Sequence, residues 1–411
     1  MIFLLKNIVS QKSFRTILII LCVFSVVVLF FFHSFLNPSH NDDEPILMVK
    51  VELEQRVVNR GEHRSVQFND GTNEMEHKSV SLRDHKSLSK DSNLNIFDKK
   101  RFDSEENQDI QAPNTCIKSG LKPHFTICVY EMKKDIYVSY RILKSGIWEK
   151  EISELIKDML LRYDQQDIVF LDVGANLGFH SLYAAKLGYK VWAVEPQQRN
   201  VIKIFRSALK SGISDKMTIV QNAIAETRRN GVMNIDLKNN GGSFLELTNN
   251  RRSKVEETKN SSKSFLQTVI LNDVFEAIKT NVVPKPSVVM MKIDIEHFEC
   301  RAFLGSPEIL QQNQDVILLA VIMEWTFKGQ NGTYSEQCPQ EKVVSLTKLF
   351  LAKGYTPFQV NEGINRLIHG SEWIKLNTSN FGLDWNTNVL WVSTTFWMSA
   401  IDQIKRLSFN L

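Results

Sequence analysis

Apolar residues fall into three regimes along this chain of 411 residues. Residues 16–36 form an apolar stretch without Lys, Arg, Asp or Glu. At about 1.5 Å per residue it is long enough to cross a bilayer core of roughly 30 Å, and it is read as a transmembrane anchor. Residues 37–115 are dominated by polar and charged side chains with almost no sustained apolar period, which predicts a largely disordered stem. From residue 116 onward short apolar runs recur. Those at 125–130 and 136–140 read as strands, and residues 149–161 carry Ile152, Leu155, Ile156 and Leu160 at helical spacing. Strand candidates follow at 168–173, 190–195, 217–221, 288–294, 316–323, 355–360 and 388–394, with helical segments between most of them. This alternation predicts one α/β domain over residues 166–405, a doubly wound seven-stranded sheet, with residues 116–165 as its N-terminal extension. The stretch 231–265 breaks the alternation. It carries hairpin residues at Asn239, Asn240, Gly241 and Gly242, then a polar basic run, and is read as an inserted surface loop.

The first core strand leads directly into chemistry. Its run Phe170-Leu171-Asp172-Val173-Gly174-Ala175-Asn176-Leu177-Gly178 turns through two glycines four apart and enters a helical pattern. Such a turn lets a ligand approach the backbone where a Cβ would block it, and offers it the free N–H groups of the following helix. Glu195 ends the next strand, where a carboxylate can accept both hydroxyls of a ribose. The dinucleotide fingerprint spaces its outer glycines about five apart with a third between them, whereas here Asn176 stands in the middle. This arrangement resembles the S-adenosylmethionine site of class I methyltransferases. Asp172, Gly174, Asn176, Gly178 and Glu195 are the candidate cofactor-binding residues. Asn222, after the third strand, is placed either against an adenine or in a turn-fixing role.

A second set of candidates lies at later strand tips. In Met291-Lys292-Ile293-Asp294-Ile295-Glu296-His297-Phe298-Glu299, residues 292, 294 and 296 share one face of a strand that is otherwise apolar. Three buried charges are costly unless that end opens into a ligand crevice. Lys292 is alternatively a structural ion-pair partner of a carboxylate. Met323-Glu324-Trp325 likewise ends a strand in an acid. Together with Ala193-Val194-Glu195-Pro196 and Leu271-Asn272-Asp273-Val274, these motifs resemble the FkbM family of S-adenosylmethionine-dependent methyltransferases over roughly residues 168–395. The resemblance implies a Rossmann-like class I methyltransferase fold. It also implies O-methyl transfer to hydroxyls of sugars or other scaffolds, and some animal members are membrane-anchored. Where the family usually has Gly after the acidic residue, this chain has His297. Either the turn there avoids positive φ, or an imidazole stands at the mouth of the site. Asp294, Glu296, His297 and Glu324 are the candidate catalytic residues, with His180 nearby. They act either as a general base or as holders of a divalent metal, a choice the sequence leaves open.

Charge and cysteine placement add a location. Lys6, Lys12 and Arg15 precede the anchor and Asp42, Asp43 and Glu44 follow it, which leaves residues 1–15 in the cytoplasm and the domain in the lumen, Golgi or ER. Sequons at Asn260, Asn331 and Asn377 fit that side of the membrane. So does the even set Cys116, Cys128, Cys300 and Cys338, of which Cys116 and Cys128 are the first candidate disulfide. The net charge of +4 is spread among mixed signs and gives no nucleic-acid arm. His63, His77 and His85 read as solvated stem residues. Two other functions share this layout: a Golgi-type glycosyltransferase, and a catalytically silent domain that binds a partner.

Overall fold

The computed structural model describes residues 94–105, 115–235, 243–247, 263–329, 331–360, 374–394 and 396. The anchor at 16–36, most of the stem, the turn at 239–242 and the sequon at Asn260 lie outside them. Among the described residues no helix is long and apolar enough to cross a membrane.

The chain enters through β1 (Ile96–Phe97) and α1 (Lys99–Glu105), a hairpin of β2 (Thr115–Lys118) and β3 (Thr126–Val129), and helices α2 (Val138–Ser145) and α3 (Lys150–Leu160). Alternation follows in β4 (Ile168–Val173), α4 (Phe179–Lys186), β5 (Lys190–Val194), α5 (Gln198–Ser211) and β6 (Met217–Val220). Four short strands come next: β7 (Ala223–Ile224), β8 (Asn230–Asn234), β9 (Phe244–Leu247) and β10 (Lys263–Val269). The chain then returns through α6 (Leu271–Asn281), β11 (Val288–Ile293), α7 (Glu299–Leu304), β12 (Ile317–Met323), α8 (Gln340–Ala352), β13 (Tyr355–Gln359) and β14 (Val389–Ser393).

The main sheet has the order β1-β6-β5-β4-β11-β12-β14-β13. Its central strands are parallel, while β1, β13 and β14 pair antiparallel. From β4 the chain steps outward to β5 and β6, then returns to the other side of β4 with β11, so the order reverses between β4 and β11. That switch point opens a crevice at the carboxyl ends of the strands, the Rossmann-like arrangement that the alternation predicts. Every residue of β4 and β11 is buried, as strands covered on both faces must be. Val169, Leu171 and Val173 face the core under α6 and α7, while Ile168 and Phe170 face the one under α3 and α4. Truncating a fully buried Phe such as Phe170 costs about 3–5 kcal/mol.

Three expectations are corrected among the described residues. The sheet has eight strands, because part of the expected stem is ordered: Phe97 and Phe102 pack on Phe205 of α5 at ring distances of 5.7 and 5.0 Å, and β1 pairs with β6. Residues 136–140 are turn and helix instead of strand. The buried Asp135 carboxylate accepts the N–H groups of Tyr137, Val138 and Ser139, which caps a helix whose inward residues are Val138 and Ile142. The stretch 231–265 is not simply a surface loop: β8 and β9 pair across the expected turn, and β10 joins them and β7 in a four-stranded sheet. The extension at 116–165 joins the domain through β3, whose N–H groups at Thr126 and Cys128 donate to the hydroxyls of Ser211 and Ser207 on α5. Cys116 and Cys128 are cross-strand partners in β2 and β3 and form a disulfide, and Cys300 and Cys338 form a second.

Candidate functional site

A cavity of about 290 Å³ opens at the carboxyl ends of β4, β5, β11 and β12. Its floor is the turn after β4, with Val173, Gly174, Ala175, Asn176 and Leu177. Glu195 and Asn200 stand at one end, and Lys292, Asp294, Glu296 and Glu324 at the other. Met233 and Leu245 wall it from the small sheet, and Trp148 and Glu149 from the N-terminal extension.

The turn obeys its glycines for a reason the sequence did not give. Gly174 has φ of +81°, and a Cβ there would lie 1.8 Å from the Asp294 carbonyl oxygen. The two strand tips therefore cross in direct backbone contact at this point. Gly178 has φ of +77°, and its Cβ would strike Ile204 of α5 at 2.9 Å. Gly174 lines the cavity while Gly178 sits behind it. Both glycines are required by the packing of the protein on itself, before any ligand is considered.

Between them Asn176 takes φ of +51° and aims its N–H at the Glu195 carboxylate, 2.8 Å away. The same carboxylate accepts the Gln197 N–H at 3.0 Å and the Asn200 amide at 3.2 Å. Asn200 is in turn bonded by the Tyr130 hydroxyl at 2.7 Å, so the extension reaches the site through a chain of hydrogen bonds. Burial nevertheless dominates, and pushes the Glu195 carboxyl up to about 7 against the pull of those donors. A buried carboxylate held this way can take two adjacent hydroxyls, whose donors would favour its ionised form. The apolar walls Ile224, Met233, Leu245 and Phe298 suit the flat base of the same nucleoside. These residues fit a nucleoside-bearing cofactor.

Asp172 and Asn222 are placed differently. Asp172 is buried beneath the turn and does not line the cavity; one oxygen accepts the Ser181 hydroxyl at 2.6 Å and the other has no hydrogen-bond partner. Asn222 lines the cavity, but its carbonyl accepts the Asn95 N–H at 2.8 Å and its amide donates to the Gln267 carbonyl at 3.2 Å. These bonds fix the ends of β1 and β10, the turn-fixing alternative for this residue.

At the opposite end the charges converge. Lys292 and Asp294 pair at 3.0 Å, and Glu324 shares a hydrogen bond with Asp294. Burial works against the Lys292 ammonium, but the charges of Asp294, Asp172 and Glu149 outweigh it. Burial likewise pushes Asp294 up, while Lys292 and the hydrogen bond from Glu324 pull it down further, so Asp294 is ionised. Its charge, with burial, holds Glu324 well above the ordinary carboxylate range, so one proton sits between the two oxygens and belongs to Glu324. Burial and the Asp294 charge push Glu296 up to about 8.

β11 ends at Ile293, so Glu296 reaches the cavity through a turn and not along the pleat. In that turn Glu296 has φ of +54° and His297 has φ of +72°. The turn thus keeps the left-handed backbone that Gly would suit, and the expectation that it avoids positive φ is overturned. His297 is half-buried, does not line the cavity, and is pushed down by burial. Sequence reasoning missed Glu149, which has φ of +40° and bonds His180 Nε2 at 3.0 Å while His180 Nδ1 meets the Ser153 hydroxyl at 3.2 Å. Its partner lies 31 residues away, and no local pattern marks it. Among the described residues no group of three or more His, Cys, Asp or Glu is set to hold a metal ion.

Residues 172–356 match the family model described as the methyltransferase FkbM domain. No curated protein matches the chain. Similar solved structures include the S-adenosylmethionine-dependent methyltransferase from Agrobacterium tumefaciens, 10% identical, covering 68% of this chain and 70% of that one at a TM-score of 0.33. An O-methyltransferase from Bacillus cereus with S-adenosylhomocysteine is 8% identical, covering 60% and 83% at 0.32. The precorrin-6y C5,15-methyltransferase from Geobacter metallireducens GS-15 is 10% identical, covering 60% and 91% at 0.28. At these TM-scores none of them bears on the chemistry, and the fold rests on the strand order.

Proposed function

We propose that this chain is an S-adenosylmethionine-dependent O-methyltransferase acting on a hydroxyl of a glycan or similar acceptor. The observation that carries the reading is a single cavity with a diol-accepting carboxylate, Glu195, at one end and an acid cluster, Asp294, Glu296 and Glu324, at the other. When bound, S-adenosylmethionine supplies an electrophilic methyl group. Glu195 holds the ribose hydroxyls, and the Ile224, Met233 and Leu245 walls hold the base. An alcohol is a poor nucleophile, so the protein must orient it and take its proton. Asp294, locked by Lys292 and Glu324, is a fixed acceptor that orients the hydroxyl. Glu296, at about 8, is matched to proton transfer near neutral pH and is the base.

The domain stands on the lumenal side of a membrane, anchored by residues 16–36. The two disulfides support this, as do the exposed Asn331 and Asn377. Glycosidase should increase the mobility of the chain, and protease should cut the domain in sealed microsomes only after detergent; digestion without detergent would reverse the topology.

The test of activity is transfer of labelled methyl from S-adenosylmethionine to a panel of hydroxyl-bearing glycans by the full chain in detergent, with and without a chelator. Label in the glycan, insensitive to chelator, supports the base; chelator sensitivity moves the role of the acids to a metal. Sugar transfer from a nucleotide sugar in place of methyl would favour the glycosyltransferase reading. Binding without transfer across the panel would favour the silent one.

A further inference from the structure

We propose that the exposed face of α2 and the turn before it bind an anionic glycan and lead it to the cavity. Residues 132–145 expose Met132, Ile136, Tyr137 and Tyr140 among Lys133, Lys134, Arg141 and Lys144. The segment holds one acid, Asp135, which is fully buried and turned inward to cap the helix. On α2 the positions 137, 140, 141 and 144 follow the i, i+3, i+4, i+7 spacing of one helix face, opposite the buried Val138 and Ile142. Two aromatic rings followed by two cations thus share about 10 Å of helix, at about 1.5 Å per residue. The Lys144 ammonium lies 4.8 Å from the Tyr140 ring centroid, which fixes that cation on the stripe.

An exposed patch of this kind at the rim of a cavity marks a surface that something covers. Tyr137 lines the cavity as well as the patch, so an occupant of one is continuous with the other. The chemistry selects the occupant. Half-exposed tyrosine rings present flat apolar faces with a polar edge, which suit the faces of sugar rings. Four cations without an outward acid in the segment call for carboxylates or sulfates along the same chain. What the site does with the chain rests on the methyl-transfer reading; the binding itself does not.

The test uses the full chain in detergent micelles with three probes: heparin oligosaccharides, hyaluronan oligosaccharides and neutral maltooligosaccharides. The intact protein should bind one of the acidic chains and not the neutral one, and should weaken as salt shortens the Debye length below about 10 Å. The triple variant K133E/K134E/R141E should lose at least about tenfold in that affinity, since each charge-assisted contact is worth roughly tenfold. All three positions are exposed, so the thermal midpoint and the S-adenosylmethionine titration of the variant should equal those of the intact chain. Failure of the intact chain to bind either acidic glycan, equal binding by the triple variant, or a preference for phosphatidylserine vesicles over glycans would overturn the proposal. Acidic glycan bound in the absence of any S-adenosylmethionine binding would instead strike the methyl-transfer reading and leave this one standing.

Discussion

Replacing Glu195 by Gln should remove a pH dependence from both stability and ligand affinity. Glu195 is fully buried in a carboxylate-hostile site, and its folded value rises from the ordinary 4.5 to about 7. At about 1.4 kcal/mol per pH unit, that difference is a penalty of about 3 kcal/mol on the folded, ionised state. The sign follows from where the proton sits. Below pH 4.5 the carboxyl is protonated in both folded and unfolded chains, and nothing is lost. As pH rises toward 7 the unfolded chain ionises first, stability falls, and above 7 the penalty is complete. In Glu195→Gln the amide NH2 must face one of the donors from Asn176, Gln197 or Asn200, so the variant carries a constant cost of about 1–3 kcal/mol but no slope. Thermal midpoints of the full chain between pH 5 and 8 should therefore show a decline attributable to this residue in the intact protein, on the order of 5 °C, that is absent from the variant. Affinity for S-adenosylmethionine should move the other way. Ribose hydroxyls need the ionised carboxylate, so affinity should fall about fivefold from pH 7 to pH 6 in the intact protein and stay flat in the variant. Equal pH slopes in the two proteins, for midpoint or for affinity, would refute the reasoning.

Other outcomes follow from the same geometry. Gly174→Ala should unfold the domain or lower its stability by at least about 3 kcal/mol, because its Cβ meets the Asp294 carbonyl at 1.8 Å, whereas Gly212→Ala, at φ of +64° with nothing within 4 Å, should cost only about 1–2 kcal/mol by thermal melt. His297→Gly should relieve a left-handed φ and raise stability by about 1 kcal/mol with turnover preserved, since the imidazole does not line the cavity; loss of turnover would return His297 to the chemistry. Glu296→Gln should lower turnover about a hundredfold and abolish the rise of rate with pH that plateaus above about 8 in the intact enzyme, while S-adenosylmethionine affinity survives; an unchanged pH profile would exclude it as the base.

How much of this was legible in the sequence depends on the range of the interaction. The core strands could be read because β4 and β11 are buried on both faces and show as unbroken apolar runs. The convergence of Lys292, Asp294, Glu296 and Glu324 could be read because charge at the end of such a run has few explanations. The eighth strand could not, since Phe97 and Phe102 sit in a polar stretch and find Phe205 only in the folded chain. Residues 136–140 look like a strand by their β-branched and aromatic content, and the single buried carboxylate of Asp135 overrides that preference. The two glycines stand out in the sequence but the packing that requires them does not, because the backbone that excludes a Cβ at Gly174 belongs to a strand tip 120 residues later. Glu149 is invisible for the same reason, since its partner His180 is distant in sequence, whereas Asn200 bonds Glu195 only five residues away but is held by the distant Tyr130.

The central claim is that this cavity binds S-adenosylmethionine through Glu195 and passes its methyl group to an acceptor hydroxyl. Titration calorimetry of the full chain with S-adenosylmethionine, repeated on Glu195→Ala, tests its first half most directly. Saturable one-to-one binding is expected, weakening by roughly tenfold to a hundredfold in the variant, the loss that follows from a charge-assisted hydrogen bond to a buried carboxylate. Affinity unchanged by Glu195→Ala, or a chain that binds a nucleotide sugar and not S-adenosylmethionine, would contradict it.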